Sequence, residues 1–214
     1  MTQIRLRRRP LLALAAASLV LTMAACGGGG GSSGDPVTPP PPSTPVTLTV
    51  THKVKITTSM GDIELGLDHN HAPISVDNFL KYVNDGFYKS TVFHRVIRDF
   101  VIQGGGVTRG PDGLRDKTPT YAAIKLESQN GLSNLRGTLA MARTSVPDSA
   151  TSQFYINTVD NTSLNYASAA NPGYAVFGQV TAGMDIVDKI RAVNTNASDV
   201  PLVDITITDA KVIP

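Results

Sequence analysis

The chain is poor in cysteine, in charge and in long apolar runs, and it contains no tryptophan. One cysteine in 214 residues excludes an internal disulfide framework and a zinc site rich in thiolates. No apolar run reaches the roughly 18 residues that a membrane-spanning helix needs, which excludes a polytopic membrane protein. Charged residues make up 17% and hydrophobic residues 41%, so the composition is not that of a disordered protein.

Positive charge is concentrated at the N-terminus. Arg5, Arg7, Arg8 and Arg9 lie within residues 1–25, which contain no acidic side chain. The formal net charge of +2 comes from these arginines, because acidic residues outnumber basic ones in the remainder. The remainder has no basic bias that would indicate binding to nucleic acid, and we expect no such partner.

An export signal is predicted over residues 1–25. The basic stretch Arg5–Arg9 is followed by an apolar stretch, Leu11–Met23. That stretch is too short to span a bilayer, but it suits the core of a signal peptide. Two alanines then precede Cys26, so the order is basic, apolar, small and cysteine.

The residues before Cys26 resemble a bacterial lipoprotein signal, in which cleavage leaves the cysteine as a lipid-modified N-terminus. Met23 stands where that pattern prefers leucine. The alternative is an ordinary cleaved signal with an incidental cysteine, but the position of the single cysteine favours lipidation. The resemblance implies an exported protein that is anchored to the membrane at the periplasmic face. Because the residue after Cys26 is Gly27 rather than an aspartate, the resemblance favours the outer membrane.

Residues 26–50 predict a tether. Gly27–Gly31 are consecutive glycines and Pro39–Pro42 are consecutive prolines. Segments of Gly and Ser behave as flexible coil, whereas proline tracts are extended at about 3.1 Å per residue, and neither can form a core. We therefore divide the chain into a signal peptide, a tether and one domain over residues 51–214, whose length suits a single core.

Hydrophobic periodicity predicts a hairpin and a further strand in this domain. Apolar residues alternate with others at Val54 and Ile56 and again over Ile63–Leu67, on the two sides of the Met60–Asp62 turn. Period two around a tight turn is typical of a β-hairpin. The same alternation over Val203–Ile207 predicts a strand near the C-terminus.

Two segments have helical period. Apolar residues recur at helical spacing over Val76–Val83, with Pro73 suited to a first turn and Gly86 to a stop. Ile186–Val193 carries a second apolar stripe. The short apolar runs between them predict many short strands. The expected fold is mainly β, with helices at the ends of a closed barrel or a sandwich, which periodicity alone does not distinguish.

Three familiar kinds of site are disfavoured. Gly104–Gly106 lacks the lysine and the following helix of a phosphate loop, and favours a bend between strands. Asp68–His71 lies between a strand and a helix start without a third histidine nearby, which favours a polar turn over a metal site. Ser149, Ser152 and His94 lack the motif that positions a nucleophilic serine.

The segment Phe93–Gly105 is distinctive, because it combines a cation, an amide and two large apolar side chains. If Arg95 and Gln103 lie on adjacent strands, they can point to one face with Phe100 and Val101 between them. From composition alone, a strand pair with a surface arginine is the simpler interpretation.

This segment resembles the signature of the cyclophilins, the peptidyl-prolyl cis–trans isomerases. The resemblance extends over Lys53–Pro214. Ala142–Thr144 together with Tyr174–Gly178 looks like the bacterial exported branch. The fold implied is a closed eight-stranded antiparallel β-barrel capped by two α-helices. The other motifs that carry the resemblance, in the family's order, are Met60–Ile63, Asn78–Phe79, Phe87–Tyr88, Gly137–Ala142, Ser152–Ile156, Val176–Val180 and Gly183–Asp185.

The resemblance also implies a site and an activity. Arg95 is the implied catalytic arginine, and Gln103 contacts the substrate backbone beside it. The activity implied is isomerisation of X–Pro bonds in folding envelope proteins, by a monomer that needs no metal or cofactor. The alternative is a cyclophilin scaffold used as a chaperone or surface binding module, with incidental turnover. The other implied substrate-binding residues are Phe100, Val101, Ala142, Arg143, Gln153, Tyr155, Leu164 and Tyr174.

Overall fold

The computed structural model of the protein describes residues 46–214. The predicted signal peptide, Cys26 and the tether up to residue 45 lie outside the described residues. No helix among those described has the length and apolar character needed to cross a membrane. In chain order the elements are β1 (His52–Thr58), β2 (Gly61–Leu67), α1 (Pro73–Asn84), β3 (Arg95–Val96), β4 (Val101–Gly104), β5 (Val107–Gly110), β6 (Gly113–Asp116), β7 (Thr138–Met141), β8 (Phe154–Asn157), β9 (Val176–Ala182), α2 (Met184–Arg191) and β10 (Ile207–Ile213).

The predicted hairpin and both predicted helices are confirmed. β1 and β2 pair antiparallel, with Ile56 opposite Ile63, and both side chains are fully buried. α1 begins at Pro73, whose fixed φ suits a first turn, and it ends before Gly86, which has a φ of +64°. α1 packs against β10, and α2 packs against β2 and β4.

The main sheet has eight strands in the order β10-β1-β2-β9-β7-β8-β4-β3, and β5 and β6 form a separate pair. The mainly β fold with two helices is confirmed, but the prediction of a closed barrel is wrong, because the sheet is an open half-barrel. An isolated bridge between Val92 and Thr206 joins the segments that precede the edge strands β3 and β10. β3 contains only Arg95 and Val96, and the Val96 N–H donates to the Asp199 carbonyl of an irregular loop instead of to β10.

The predicted C-terminal strand is displaced along the chain. Ile205 and Ile207 are buried as the alternation requires, but β10 begins only at Ile207. Val203 is 79% exposed in a turn, and its neighbour Asp204 accepts a hydrogen bond from Arg109 Nε at 2.6 Å. The alternation of apolar residues here correctly predicts that Ile205 and Ile207 face the core, but it does not predict where strand pairing begins.

Two clusters of buried side chains fill the domain. The larger contains an aromatic group in which the Phe79 ring lies 5.2, 5.4 and 5.3 Å, centroid to centroid, from Tyr88, Phe154 and Phe177. The smaller cluster consists of Val101, Leu132, Ala140, Tyr155 and Val176, and against it pack Leu48, Phe100, Ala142, Leu164 and Tyr174.

The last residues of the predicted tether lie against the domain. Leu48 packs on the smaller cluster. The Thr49 N–H donates to Asp68 Oδ2 at 2.8 Å, and the Thr51 N–H donates to the Leu67 carbonyl at 2.8 Å. These bonds and the apolar contact fix the point at which the chain enters β1.

The N-terminus of α1 is capped by a distant glutamate. The residue before the helix, Ala72, has no side chain that can accept a hydrogen bond. Glu127 supplies the acceptor instead, with Oε1 3.0 Å from the Ile74 N and Oε2 2.7 Å from the Ser75 N. A carboxylate at this position satisfies free N–H groups and complements the helix dipole.

We expect Glu127→Ala to lower the free energy of unfolding by about 1–2 kcal/mol, because the helix loses its only side-chain cap among the described residues. For a domain of this size, the melting temperature falls about 2–4 °C for each kcal/mol. Glu127→Gln, which keeps an acceptor oxygen, is the matched variant and should lose less. Equal melting temperatures for wild type and Glu127→Ala would contradict the capping role.

Candidate active site

Arg95 and Gln103 are brought together by strand pairing. Arg95 lies on β3 and is the direct antiparallel partner of Gln103 on β4. The condition stated from the sequence, that these two residues lie on adjacent strands, is met. Directly opposed residues of an antiparallel pair point to the same face, so both side chains reach the same side of the sheet.

A cavity of about 150 Å³ opens beside this pair. Its floor is apolar where Val101 and Tyr155 are buried, at 2% and 4% exposure. The strands β4 and β8 hold these two residues, and the turn Thr162–Leu164 contributes one wall. The residues that line the cavity are Arg95, Phe100, Val101, Gln103, Ala142, Arg143, Tyr155, Leu164 and Tyr174.

The guanidinium of Arg95 is free to bind a ligand. Its central carbon lies 5.8 Å from the centre of the Phe100 ring, which is within range of a cation–π contact. Among the hydrogen bonds and ion pairs of residues 46–214, none involves the Arg95 side chain. A half-buried guanidinium therefore presents its N–H donors to the cavity without competition from a carboxylate.

Gln153 lies next to the cavity and holds Gln103. Gln103 Nε2 donates to Gln153 Oε1 at 2.9 Å. The space for Gln153 is provided by Gly106, because a Cβ there would lie 2.3 Å from Gln153 Cγ. Gln153 lines a neighbouring polar cavity, shared with Gln103, and does not line the apolar one.

The opposite rim is held by Arg143. Its Nε and Nη2 donate to the Gly173 carbonyl at 3.0 and 2.7 Å, and its Nη1 donates to the Thr144 carbonyl at 2.8 Å. The guanidinium carbon lies 4.5 Å from the centre of the Tyr174 ring. Arg143 therefore fixes Tyr174, whose ring contacts Tyr155 edge-on with centroids 5.9 Å apart.

The hydroxyl of Tyr155 forms its hydrogen bond on the side of the ring away from the cavity. It donates to Asn134 Oδ1 at 2.8 Å. Burial raises the pKa of Tyr155 well above its usual range, so this hydroxyl stays protonated and acts as a donor. The ring is thus left as an apolar wall, with its polar atom removed from the cavity.

The sequence matches the family model described as "Cyclophilin type peptidyl-prolyl cis-trans isomerase/CLD" over residues 53–212. The chain belongs to the cyclophilin family. It is accordingly a peptidyl-prolyl cis–trans isomerase.

Relatives of this cyclophilin support the same assignment. A peptidyl-prolyl cis-trans isomerase of Acinetobacter baylyi is 57% identical over 143 residues, which cover 67% of this chain and 73% of that protein. Isomerase B of Escherichia coli is 50% identical over 161 residues, covering 72% and 96%. A crystal structure of a cyclophilin-type isomerase from Cryptosporidium parvum in the presence of the dipeptide Ala-Pro has a TM-score of 0.63 and 28% identity, covering 76% of this chain and 99% of that one.

The disfavoured sites have structural explanations in this cyclophilin. Gly104 ends β4, and Gly105 and Gly106 form the bend that leads into β5. His71 Nδ1 lies 2.7 Å from Oδ2 of the fully buried Asp68, and these groups stabilise a turn. Among residues 46–214 no group of three His, Cys, Asp or Glu side chains is arranged to hold a metal ion.

Two contributors to the site had no usable signal in the sequence. Gly106 provides room for Gln153, but a run of glycines indicates only a bend. Asn134 accepts the hydroxyl of Tyr155 across 21 positions of sequence. An isolated asparagine between two motifs looks like a loop residue, and only the folded chain brings it beneath the cavity.

Proposed function

We propose that the prolyl ring of an extended peptide enters this cavity and that Arg95 catalyses rotation of the X–Pro bond. The observation that carries the proposal is the unpaired guanidinium beside an apolar floor made by Val101 and Tyr155. Phe100 and Leu164 would form the side walls. The crystal structure of the relative in the presence of Ala-Pro supports a proline-containing substrate.

The chemistry needs no nucleophile, because no covalent bond breaks. The barrier is the loss of amide conjugation, about 18–20 kcal/mol. In the twisted transition state the prolyl nitrogen regains its lone pair and becomes a hydrogen-bond acceptor. Arg95 can donate to that nitrogen there but not in the planar ground state, which is differential binding of the transition state.

The strength of this one bond sets the scale of the effect. A hydrogen bond to a charged group contributes about 1.5–3 kcal/mol. At about 1.36 kcal/mol per decade, this is roughly one to two decades in rate. The rest comes from the apolar walls, which exclude water and hold the ring.

The backbone beside the cavity supports the binding of an extended peptide. The Ala142 N–H donates to the Gln153 carbonyl at 3.0 Å, which continues the β7–β8 pairing by one residue. The hydrogen bonds of residues 46–214 leave the backbone N–H and C=O of Arg143 unpaired. We infer that the peptide pairs with these groups while Gln103 contacts its backbone.

We further propose that the enzyme is exported and acts, as a monomer, on unfolded envelope proteins. The basic, apolar and small segments before Cys26 support export and lipidation. Gly27 favours retention at the periplasmic face of the outer membrane. The part of the predicted tether that precedes Leu48 would then let the domain reach clients some tens of ångströms from the bilayer.

A turnover measurement tests this function against that of a binding module. The purified chain is mixed with a short Ala-Pro peptide, and cis–trans exchange is followed by NMR. We expect exchange far faster than the uncatalysed reaction, which takes about tens to hundreds of seconds. Peptide binding without faster exchange would favour the chaperone or binding-module alternative.

A further inference from the structure

Four buried or half-buried asparagines form a directed chain of hydrogen bonds beneath the cavity. Asn161 Nδ2 donates to Asn157 Oδ1 at 2.8 Å, and Asn157 Nδ2 donates to Asn134 Oδ1 at 3.2 Å. Asn134 Nδ2 then donates to Asn165 Oδ1 at 3.1 Å. Every amide donates to the next one in the same direction, so flipping any of them would break the chain. Bonds polarised in one sense strengthen one another.

Both ends of this amide chain reach walls of the cavity. At one end, Asn161 Nδ2 also donates to the Phe100 carbonyl at 2.8 Å. At the other end, Asn165 directly follows Leu164, whose own N–H donates to the Asn161 carbonyl at 2.9 Å. The amide chain therefore connects the two side walls proposed for the prolyl ring.

The middle of the amide chain holds the floor. Asn134 is fully buried, and its Oδ1 accepts the hydroxyl of Tyr155 at 2.8 Å. Its backbone N–H and its Nδ2 both donate to Asn165 Oδ1, at 2.8 and 3.1 Å. Two hydrogen bonds to Asn165 thus hold Asn134, which accepts the Tyr155 hydroxyl. The Tyr155 ring keeps its position at the floor of the cavity only while this acceptor is present.

We propose that Asn134 is a positioning residue, which sets the floor of the proline-binding cavity through the hydroxyl of Tyr155. The inference rests on the proposed function, because it assumes that the cavity binds the prolyl ring. The floor contacts the ring in the ground state and in the twisted transition state alike. Losing such a contact raises KM and leaves kcat nearly unchanged.

The test is a rescue experiment with Asn134→Leu, which fills a similar volume but leaves the buried hydroxyl unpaired. We expect KM for an Ala-Pro peptide to rise at least about fivefold, with kcat within about twofold of wild type. In a Tyr155→Phe background the hydroxyl is gone. Asn134→Leu should then change KM by less than about twofold. An equal rise in both backgrounds would overturn the proposal.

Two comparisons separate this proposal from the proposed function and from general destabilisation. If wild type shows no turnover, the proposed function fails, whereas normal turnover with an unchanged KM in Asn134→Leu refutes only the positioning role. Glu127→Ala is the control that loses stability away from the cavity, and its KM should equal that of wild type.

If Asn134→Leu does not fold, the double variant Asn134→Leu/Tyr155→Phe decides between the two roles. A folded double variant with the KM of Tyr155→Phe supports the proposal, and an unfolded one assigns Asn134 a structural role and overturns it.

Discussion

Replacing Arg95 with alanine is expected to lower kcat/KM for a short X–Pro peptide at least about tenfold, while the fold persists. The reason is the loss of one charge-assisted hydrogen bond that forms only in the transition state. The Arg95 side chain makes no hydrogen bond within residues 46–214, so its removal leaves no buried partner unsatisfied. Steady-state kinetics and a melting curve on the same preparation would check both parts of this expectation.

Two further variants test whether the effect of Arg95→Ala is specific to the guanidinium in the cavity. Arg95→Lys should also be poor, because an ammonium is a point charge without the planar fork of a guanidinium. Arg98→Ala is the matched control, because Arg98 is exposed and donates to the Ala192 carbonyl at 3.3 Å, away from the cavity. Near wild-type turnover in a folded Arg95→Ala protein would rule out the mechanism.

Replacing Cys26 with alanine is expected to move the protein from the membrane fraction to the soluble fraction, or to leave its signal peptide uncleaved. The physical reason is that two or more acyl chains anchor a protein stably, whereas one chain is marginal. No described helix could supply an alternative membrane-spanning anchor. Fractionation of cells that express each variant would measure the change.

A serine in the same segment provides the control for Cys26. Ser32→Ala changes the tether without touching the predicted lipidation site, and it should remain in the membrane fraction. Mass spectrometry of the native N-terminus gives the direct readout. An unmodified Cys26 in the native protein would show that the lipoprotein interpretation is wrong. A Cys26→Ala protein that loses its signal peptide and still remains in the membrane fraction would show the same.

Local features of the fold could be predicted because they depend on neighbouring residues. The β1–β2 hairpin follows from period two around Gly61, and α1 follows from a helical stripe after Pro73. The open edge of the sheet could not be predicted in this way. It depends on whether β3 meets β10 or the loop around Asp199, which no local pattern encodes.

The residues of the candidate site differ in the same way: some could be predicted from a local motif, and others depend on distant parts of the chain. Arg95 and Gln103 lie in one segment with a recognisable motif, and a single pair of strands brings them together. The supports of the site come from elsewhere in the chain. Asn134 lies 21 positions before Tyr155, and Glu127 caps a helix more than 50 positions away. Such partners are selected by tertiary packing, and their residue types alone do not predict them.

A crystal structure of the protein bound to an Ala-Pro peptide tests the central claim most directly. We expect the prolyl ring to lie in the cavity against Val101 and Tyr155. Because the bound peptide is in the planar ground state, a guanidinium nitrogen of Arg95 should lie within about 3.5 Å of the carbonyl oxygen of the proline, on the side of the X–Pro bond. The peptide backbone should pair with Arg143. A prolyl ring bound outside this cavity, or an Arg95 side chain turned away from the X–Pro bond, would contradict the account.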